Sequence, residues 1–212
     1  MKPSSPAGSP PTPDLVPNVG EILRYFSGVA MLMGGKAEGL KRLDLSADGF
    51  WQSFSAILVA APAVALSWLE FELVERPGPA IEASAFSIYA THAMADLLGW
   101  LLPILVLMTF ARRLGIGRKI VPLVVVSNWG GAFLAWAFSP YWLLLFAFGP
   151  GPETGALGVL VTIASLVLTV RLVHLATGRD MTLAIGTCIL MVLSSLVAYG
   201  AVMDLTGIAL LR

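Results

Sequence analysis

Five long apolar stretches divide this sequence, and they restrict its fold more than any other feature. They cover residues 50–69, 83–110, 120–138, 155–173 and 183–203. A helix rises about 1.5 Å per residue, so about 20 apolar residues cross a hydrocarbon core about 30 Å thick. Inside lipid, every backbone polar group must be paired within the protein, and a helix achieves this. The sequence therefore predicts an all-α transmembrane bundle of five spans.

Composition supports a membrane environment. The chain is 57% hydrophobic and 12% charged, which is about half the charge of an average soluble domain. Its formal net charge is +0, so no basic surface predicts binding to nucleic acid. We therefore expect the partners to be the lipid bilayer and a membrane protein or a second copy of this chain.

The region before the first span divides into two parts. Residues 1–18 are rich in proline and predict a disordered cytoplasmic tail. In residues 19–49, apolar side chains recur at helical spacing up to Met33 and are followed by a charged approach to the bundle. This pattern predicts an amphipathic helix that lies in the membrane interface. The alternative is a helix that packs on the cytoplasmic ends of the spans.

The distribution of basic residues predicts the orientation. Arg76 and Arg212 fall on one side of the five spans, and the other 11 of the 13 basic residues fall on the opposite side. The positive-inside rule then places the N-terminus in the cytoplasm and the C-terminus outside. In a bacterium, this corresponds to a multi-pass protein of the inner membrane with a periplasmic C-terminus.

The third apolar stretch is interrupted. Ser139 and Pro140 follow it, and residues 140–148 are rich in aromatic side chains. We interpret 140–148 as a separate short helix in the outer interface, where amphipathic rings are favoured. A shallow re-entrant hairpin is the alternative.

The sequence carries no known catalytic pattern. It contains no P-loop, no dinucleotide-binding glycine fingerprint, no zinc-ligand spacing and no G-x-S-x-G elbow. Its two histidines, His92 and His174, are far apart. We therefore assign no catalytic residue and no metal ligand, and we expect no cofactor and no enzymatic activity.

Polar side chains at membrane depth form a candidate intramembrane layer. Asp96 lies near the middle of the second span, and an ionisable group there costs about 2.5–3.5 kcal/mol unless it is paired. It is expected to face the bundle interior, with Asn128, His92 or the serines as partners and Asn128 first among them. Either the layer carries protons or ions, or it is a hydrogen-bonded knot that fixes helix pairing. The layer comprises His92, Asp96, Asn128, Ser194 and Ser195.

Short motifs add a resemblance. The approach Leu-Asp-Leu-Ser-Ala-Asp-Gly-Phe-Trp-Gln-Ser-Phe at 43–54 leads into a span that contains Pro62, and Ser127-Asn128-Trp129 lies in the third span. These features resemble small polytopic inner-membrane proteins of alphaproteobacteria, some of them described as transporter-like. The layout of five spans with an inside N-terminus is similar to the Yip1 type. The resemblance covers most of 20–205 and implies a bacterial inner membrane and an α-helical fold, but it supplies no catalytic residues.

Two functions follow from these observations. The first is a non-enzymatic integral membrane protein, an accessory, assembly or organising factor that binds other membrane components. The alternative is a small transporter or channel component with a proton or ion path at the Asp96 layer.

Overall fold

A computed structural model describes residues 17–72 and 84–208, and it is helical throughout. No strand occurs in these two ranges, so the predicted all-α fold is confirmed for them. Short 3₁₀ turns at Ala37–Arg42, Ser53–Ser55 and Gly117–Lys119 join some of the helices. The helices are α1 (Val19–Met33), α2 (Ala47–Gln52), α3 (Ala56–Glu70), α4 (Ala85–Phe110), α5 (Ile120–Phe148), α6 (Pro152–Ala176) and α7 (Met181–Thr206).

Within the described ranges, five helical segments are long and apolar enough to cross a membrane. The first combines α2, a 3₁₀ turn and α3, and each of the other four is centred on one of the helices α4 to α7. This confirms the five predicted spans, and the protein is a multi-pass membrane protein. The segments are Ala47–Glu70, Ala85–Phe110, Gly117–Phe148, Pro152–Ala176 and Met181–Thr206.

The bundle is built from two closely packed helix pairs. Helix α4 packs along α7, helix α3 packs along α5, and α6 contacts both α5 and α7. Trp136 on α5 contributes to the α3–α5 pair, because its Nε1–H donates to the Val59 carbonyl at 2.8 Å, in the turn before Pro62. In contrast, α4 has only sparse contacts with α3 and α5. Space therefore remains between the two pairs.

Helix α1 packs on the bundle instead of resting only on lipid. Its residues match the predicted range, and Asn18 caps it through a capping box with Glu21. Val29 and Leu32 are fully buried in an apolar cluster to which α5 and α6 contribute, and α1 contacts both of these helices. The structure thus shows the packing that the alternative describes, and the position of α1 in the membrane interface stays a prediction. The apolar face that predicts membrane binding is used mainly for protein packing.

Aromatic contacts fix the depth of α1. The Tyr25 ring lies 4.7 Å from Trp129, between ring centroids, and the Phe26 ring lies 5.7 Å from Phe133. The Tyr25 hydroxyl donates to Gln52 Oε1 at 2.8 Å. Burial raises the pKa of Tyr25 above its ordinary value. Helix α1 therefore packs beside the first half of α5.

Helix α5 does not break at Pro140, which corrects the prediction of a separate helix at 140–148. The helix continues from Ile120 to Phe148 with Pro140 inside it. Proline lacks the N–H that would bond to the carbonyl four residues earlier, which here belongs to Trp136. The Ser139 hydroxyl donates to that carbonyl at 2.8 Å. A side chain thus satisfies the acceptor that proline leaves open, and the helix can continue.

The connections that carry basic residues meet at one end of the bundle. The α4–α5 turn packs with the end of α6 and the start of α7 in one apolar cluster. The end of α6 also contacts the segment around α1, where Arg171 lies beside Gly35. The basic residues of the described ranges are Arg24, Lys36, Lys41, Arg42, Arg112, Arg113, Arg118, Lys119, Arg171 and Arg179.

Candidate binding site

A cavity of about 280 Å³ lies between the two helix pairs. Its wall comes from α3, α4, α5 and α7, and most of it is apolar. The apolar part and the two glycines are Val64, Gly99, Trp100, Pro103, Ile104, Gly131 and Met191, and the polar part is Asp96, Ser127, Asn128, Ser195 and Tyr199. An apolar pocket with a few convergent polar groups is the usual form of a ligand site.

Asp96 is held by donors from two other helices. Trp68 of α3 donates its indole N–H to Oδ2 at 2.6 Å. Tyr199 of α7 donates its hydroxyl to Oδ1. The side chain is half-buried and faces the cavity. The prediction that Asp96 faces the interior of the bundle therefore agrees with its position in the structure.

Asn128 is the centre of a separate hydrogen-bonded group. It is fully buried on α5. Its Oδ1 accepts from the Trp100 indole at 2.8 Å, and its Nδ2 donates to the Ser53 hydroxyl at 3.0 Å. Ser53 in turn donates to the Phe50 carbonyl at 2.7 Å. Asn128 thus connects α4 and α5 to the start of the first span.

The expected Asp96–Asn128 hydrogen bond is wrong, although both residues line one cavity. Asp96 lies 14 residues before the end of α4, whereas Asn128 lies 8 residues after the start of α5. In antiparallel neighbours, this difference of 6 residues separates the two by about 9 Å in depth. Trp100 lies one turn closer than Asp96 to the connection between α4 and α5, and its depth matches that of Asn128. The indole occupies the position that we expected the carboxyl to take.

Ser195 bonds to a carbonyl that a proline leaves open. Its hydroxyl donates to the Gly99 carbonyl at 2.8 Å. That carbonyl would accept the N–H of the residue four positions later, which is Pro103 and has none. A serine of α7 therefore replaces the missing bond of α4. The α4–α7 pair is fixed at the point where both helices line the cavity.

His92 and Ser194 do not line the cavity. Both are buried. His92 stacks on Trp68 with ring centroids 6.3 Å apart and contacts Phe71 at 4.9 Å. Its Nε2 has no hydrogen-bond partner among the described residues. Of the five residues in the predicted layer, Asp96, Asn128 and Ser195 line the cavity. His92 lies behind Trp68, which it contacts.

Three side chains of the site were not predicted from the sequence. The position of Trp68 at the end of the first span is typical of an interfacial anchor, but its indole bonds to Asp96. Trp100 and Tyr199 were not singled out, although helical spacing could have found them. Trp100 lies one turn after Asp96, and Tyr199 lies one turn after Ser195, so each shares a face with a predicted residue.

Comparison with known proteins does not assign this chain to a family. No family model, curated protein or solved structure matches this chain. Within the described residues, no group of three or more His, Cys, Asp or Glu side chains is placed to hold a metal ion. The cavity is therefore the feature of the described residues that points to a function.

Proposed function

We propose that this protein is a non-enzymatic membrane protein that binds another membrane component, and that the cavity between α3, α4, α5 and α7 is its binding site. The observation that supports this proposal is an apolar cavity with a carboxyl group on its wall, inside the spans. A cavity that served only helix packing would be filled, because voids cost stability.

The cavity has a route to the lipid. A shallow groove on α7 shares Met191, Ser195 and Tyr199 with it and continues past Val192 and Leu196. The last two side chains are exposed on the outer surface of the bundle. A component dissolved in the bilayer can therefore enter sideways, without crossing the aqueous phase.

Filling the cavity tests this function. We expect Val64→Phe to lower the amount of co-purified lipid or amphiphile about tenfold, because the ring occupies the space of the bound group; this corresponds to ~1.4 kcal/mol. Native mass spectrometry after extraction in mild detergent measures the bound component. Leu58→Phe is the matched control, since Leu58 lies on the same helix and faces outward. Equal retention by both variants contradicts the proposal.

A transporter or channel component is the second candidate. Asp96 favours it, because the carboxyl faces the cavity and its helix pair is loosely joined to the other pair. Solute- or proton-dependent flux in proteoliposomes distinguishes the two functions. Flux that Asp96→Asn abolishes without loss of stability supports transport, whereas the binding function requires no flux.

We further propose a bacterial inner membrane with a cytoplasmic N-terminus, in line with the resemblance to alphaproteobacterial proteins. The basic residues that meet at one end of the bundle support this orientation. Reporter fusions after Lys36 and Gly115 are expected to report the cytoplasm, and a fusion after Gly151 the periplasm. A periplasmic signal at Gly115 contradicts the proposed topology.

A further inference from the structure

The donors of three side chains that line the cavity are already used by the protein. The Tyr199 hydroxyl donates to Asp96, the Ser195 hydroxyl donates to the Gly99 carbonyl, and the Trp100 indole donates to Asn128. A group that enters the cavity and offers only acceptors therefore meets few free donors there.

Acceptor capacity remains on the same wall. A carboxylate has about four lone-pair sites, and Asp96 uses one on each oxygen. The hydroxyl oxygens of Tyr199 and Ser195 keep lone pairs after they donate. Ser127 Oγ is buried at this wall without a partner in the described residues, and it can accept or donate. The polar wall is thus rich in acceptors.

The remainder of the wall suits an alkyl body. Val64, Pro103, Ile104 and Met191 are apolar, and the groove along α7 extends the apolar surface toward the bilayer. A molecule with a polar head and an apolar chain can place the head at Asp96 and the chain along this route.

We propose that the cavity binds the hydrogen-bond-donating head of a membrane amphiphile, a primary amine or a hydroxyl on an alkyl chain. This inference depends on the proposed binding function of the cavity and adds the chemical class of the ligand. An amine or hydroxyl donates to Asp96, Ser195 or Tyr199, whereas an ether or ester of the same length only accepts.

Matched photoreactive probes test this inference in nanodiscs of the full chain. The probes are an alkyl amine, an alkyl alcohol and the corresponding methyl ether, each with a diazirine at the same carbon. We expect the amine, alone or together with the alcohol, to label peptides of α4 and α7 at least about fivefold more than the ether, ~1 kcal/mol. Preference for the amine indicates recognition of a charged head, and equal labelling by the alcohol indicates a neutral one.

Variants connect the preference to the acceptors. In Asp96→Asn an amide N–H₂ replaces one carboxylate oxygen, so the donor-to-ether ratio is expected to fall toward one. Ser127→Ala removes another acceptor of the cavity wall, one without a partner among the described residues, and serves as the second variant. Circular dichroism confirms that each variant is folded. A ratio that both variants leave unchanged overturns the inference.

The outcomes separate this inference from the proposed function. If the ether labels the cavity as strongly as the amine and Val64→Phe blocks all probes, the cavity binds amphiphiles but does not select donors. If no probe labels the cavity peptides, both the inference and the proposed binding function fail.

Discussion

Replacing Asp96 with leucine is expected to lower the free energy of unfolding by roughly 2–4 kcal/mol, because it leaves two half-buried donors inside the bundle without an acceptor. These donors are the Trp68 indole and the Tyr199 hydroxyl. Asp96→Asn is expected to stay within about 1 kcal/mol of the wild type. The amide oxygen can accept from Trp68, and the amide N–H can donate to Tyr199 once its hydroxyl turns.

Unfolding of the purified protein in mixed micelles measures both changes. Leu97→Ala is a control for a change on the outer face of the same helix, since Leu97 is exposed. If the leucine variant is as stable as the asparagine variant, the carboxyl does not hold α3, α4 and α7 together.

The second large effect is expected at the Ser195–Pro103 pair. Ser195→Ala removes the donor to the Gly99 carbonyl, and we expect it to cost about 1 kcal/mol, the usual scale for interhelical bonds in membranes. In a Pro103→Ala background, the new backbone N–H of residue 103 can bond to the same carbonyl. The serine change is then expected to cost less than about 0.5 kcal/mol, and the difference is the coupling energy.

A double-mutant cycle on unfolding free energies gives this coupling. Thr162→Ala is the matched control, because its exposed hydroxyl bonds only to a carbonyl of its own helix. Equal costs of Ser195→Ala in both backgrounds mean that the serine does not replace the bond that proline removes.

Most of the fold could be predicted from the sequence, because the length of an apolar run is a local property of the chain. A run of apolar residues of sufficient length predicts a span, and the five spans follow from their lengths alone. The prediction of a helix end at Pro140 failed for a local reason, because the neighbouring Ser139 satisfies the open carbonyl. The packing of α1 has a tertiary cause that its own sequence does not show, because Trp129 and the end of α6 cover part of its apolar face.

The candidate site could be predicted only in part. Asp96, Asn128 and Ser195 line the cavity because polar groups inside a membrane face the bundle interior. Their partners could not be assigned, because partner choice depends on the relative depth of neighbouring helices. Asp96 and Asn128 differ in depth by one or two helical turns. Asn128 therefore bonds to Trp100, and Asp96 bonds to Trp68 and Tyr199.

The packing of α1 also determines the order of events during synthesis. Tyr25 is made about 100 residues before its partner Trp129, which takes a ribosome roughly 5–20 seconds. Until α5 and α6 emerge, only the 3₁₀ turn that follows α1 and the membrane surface can cover its apolar face. A Val29→Cys variant measures this interval, since Val29 is fully buried in the finished protein. We expect the thiol to react with a maleimide in ribosome-bound chains that end before α5, and to be protected in the full-length protein.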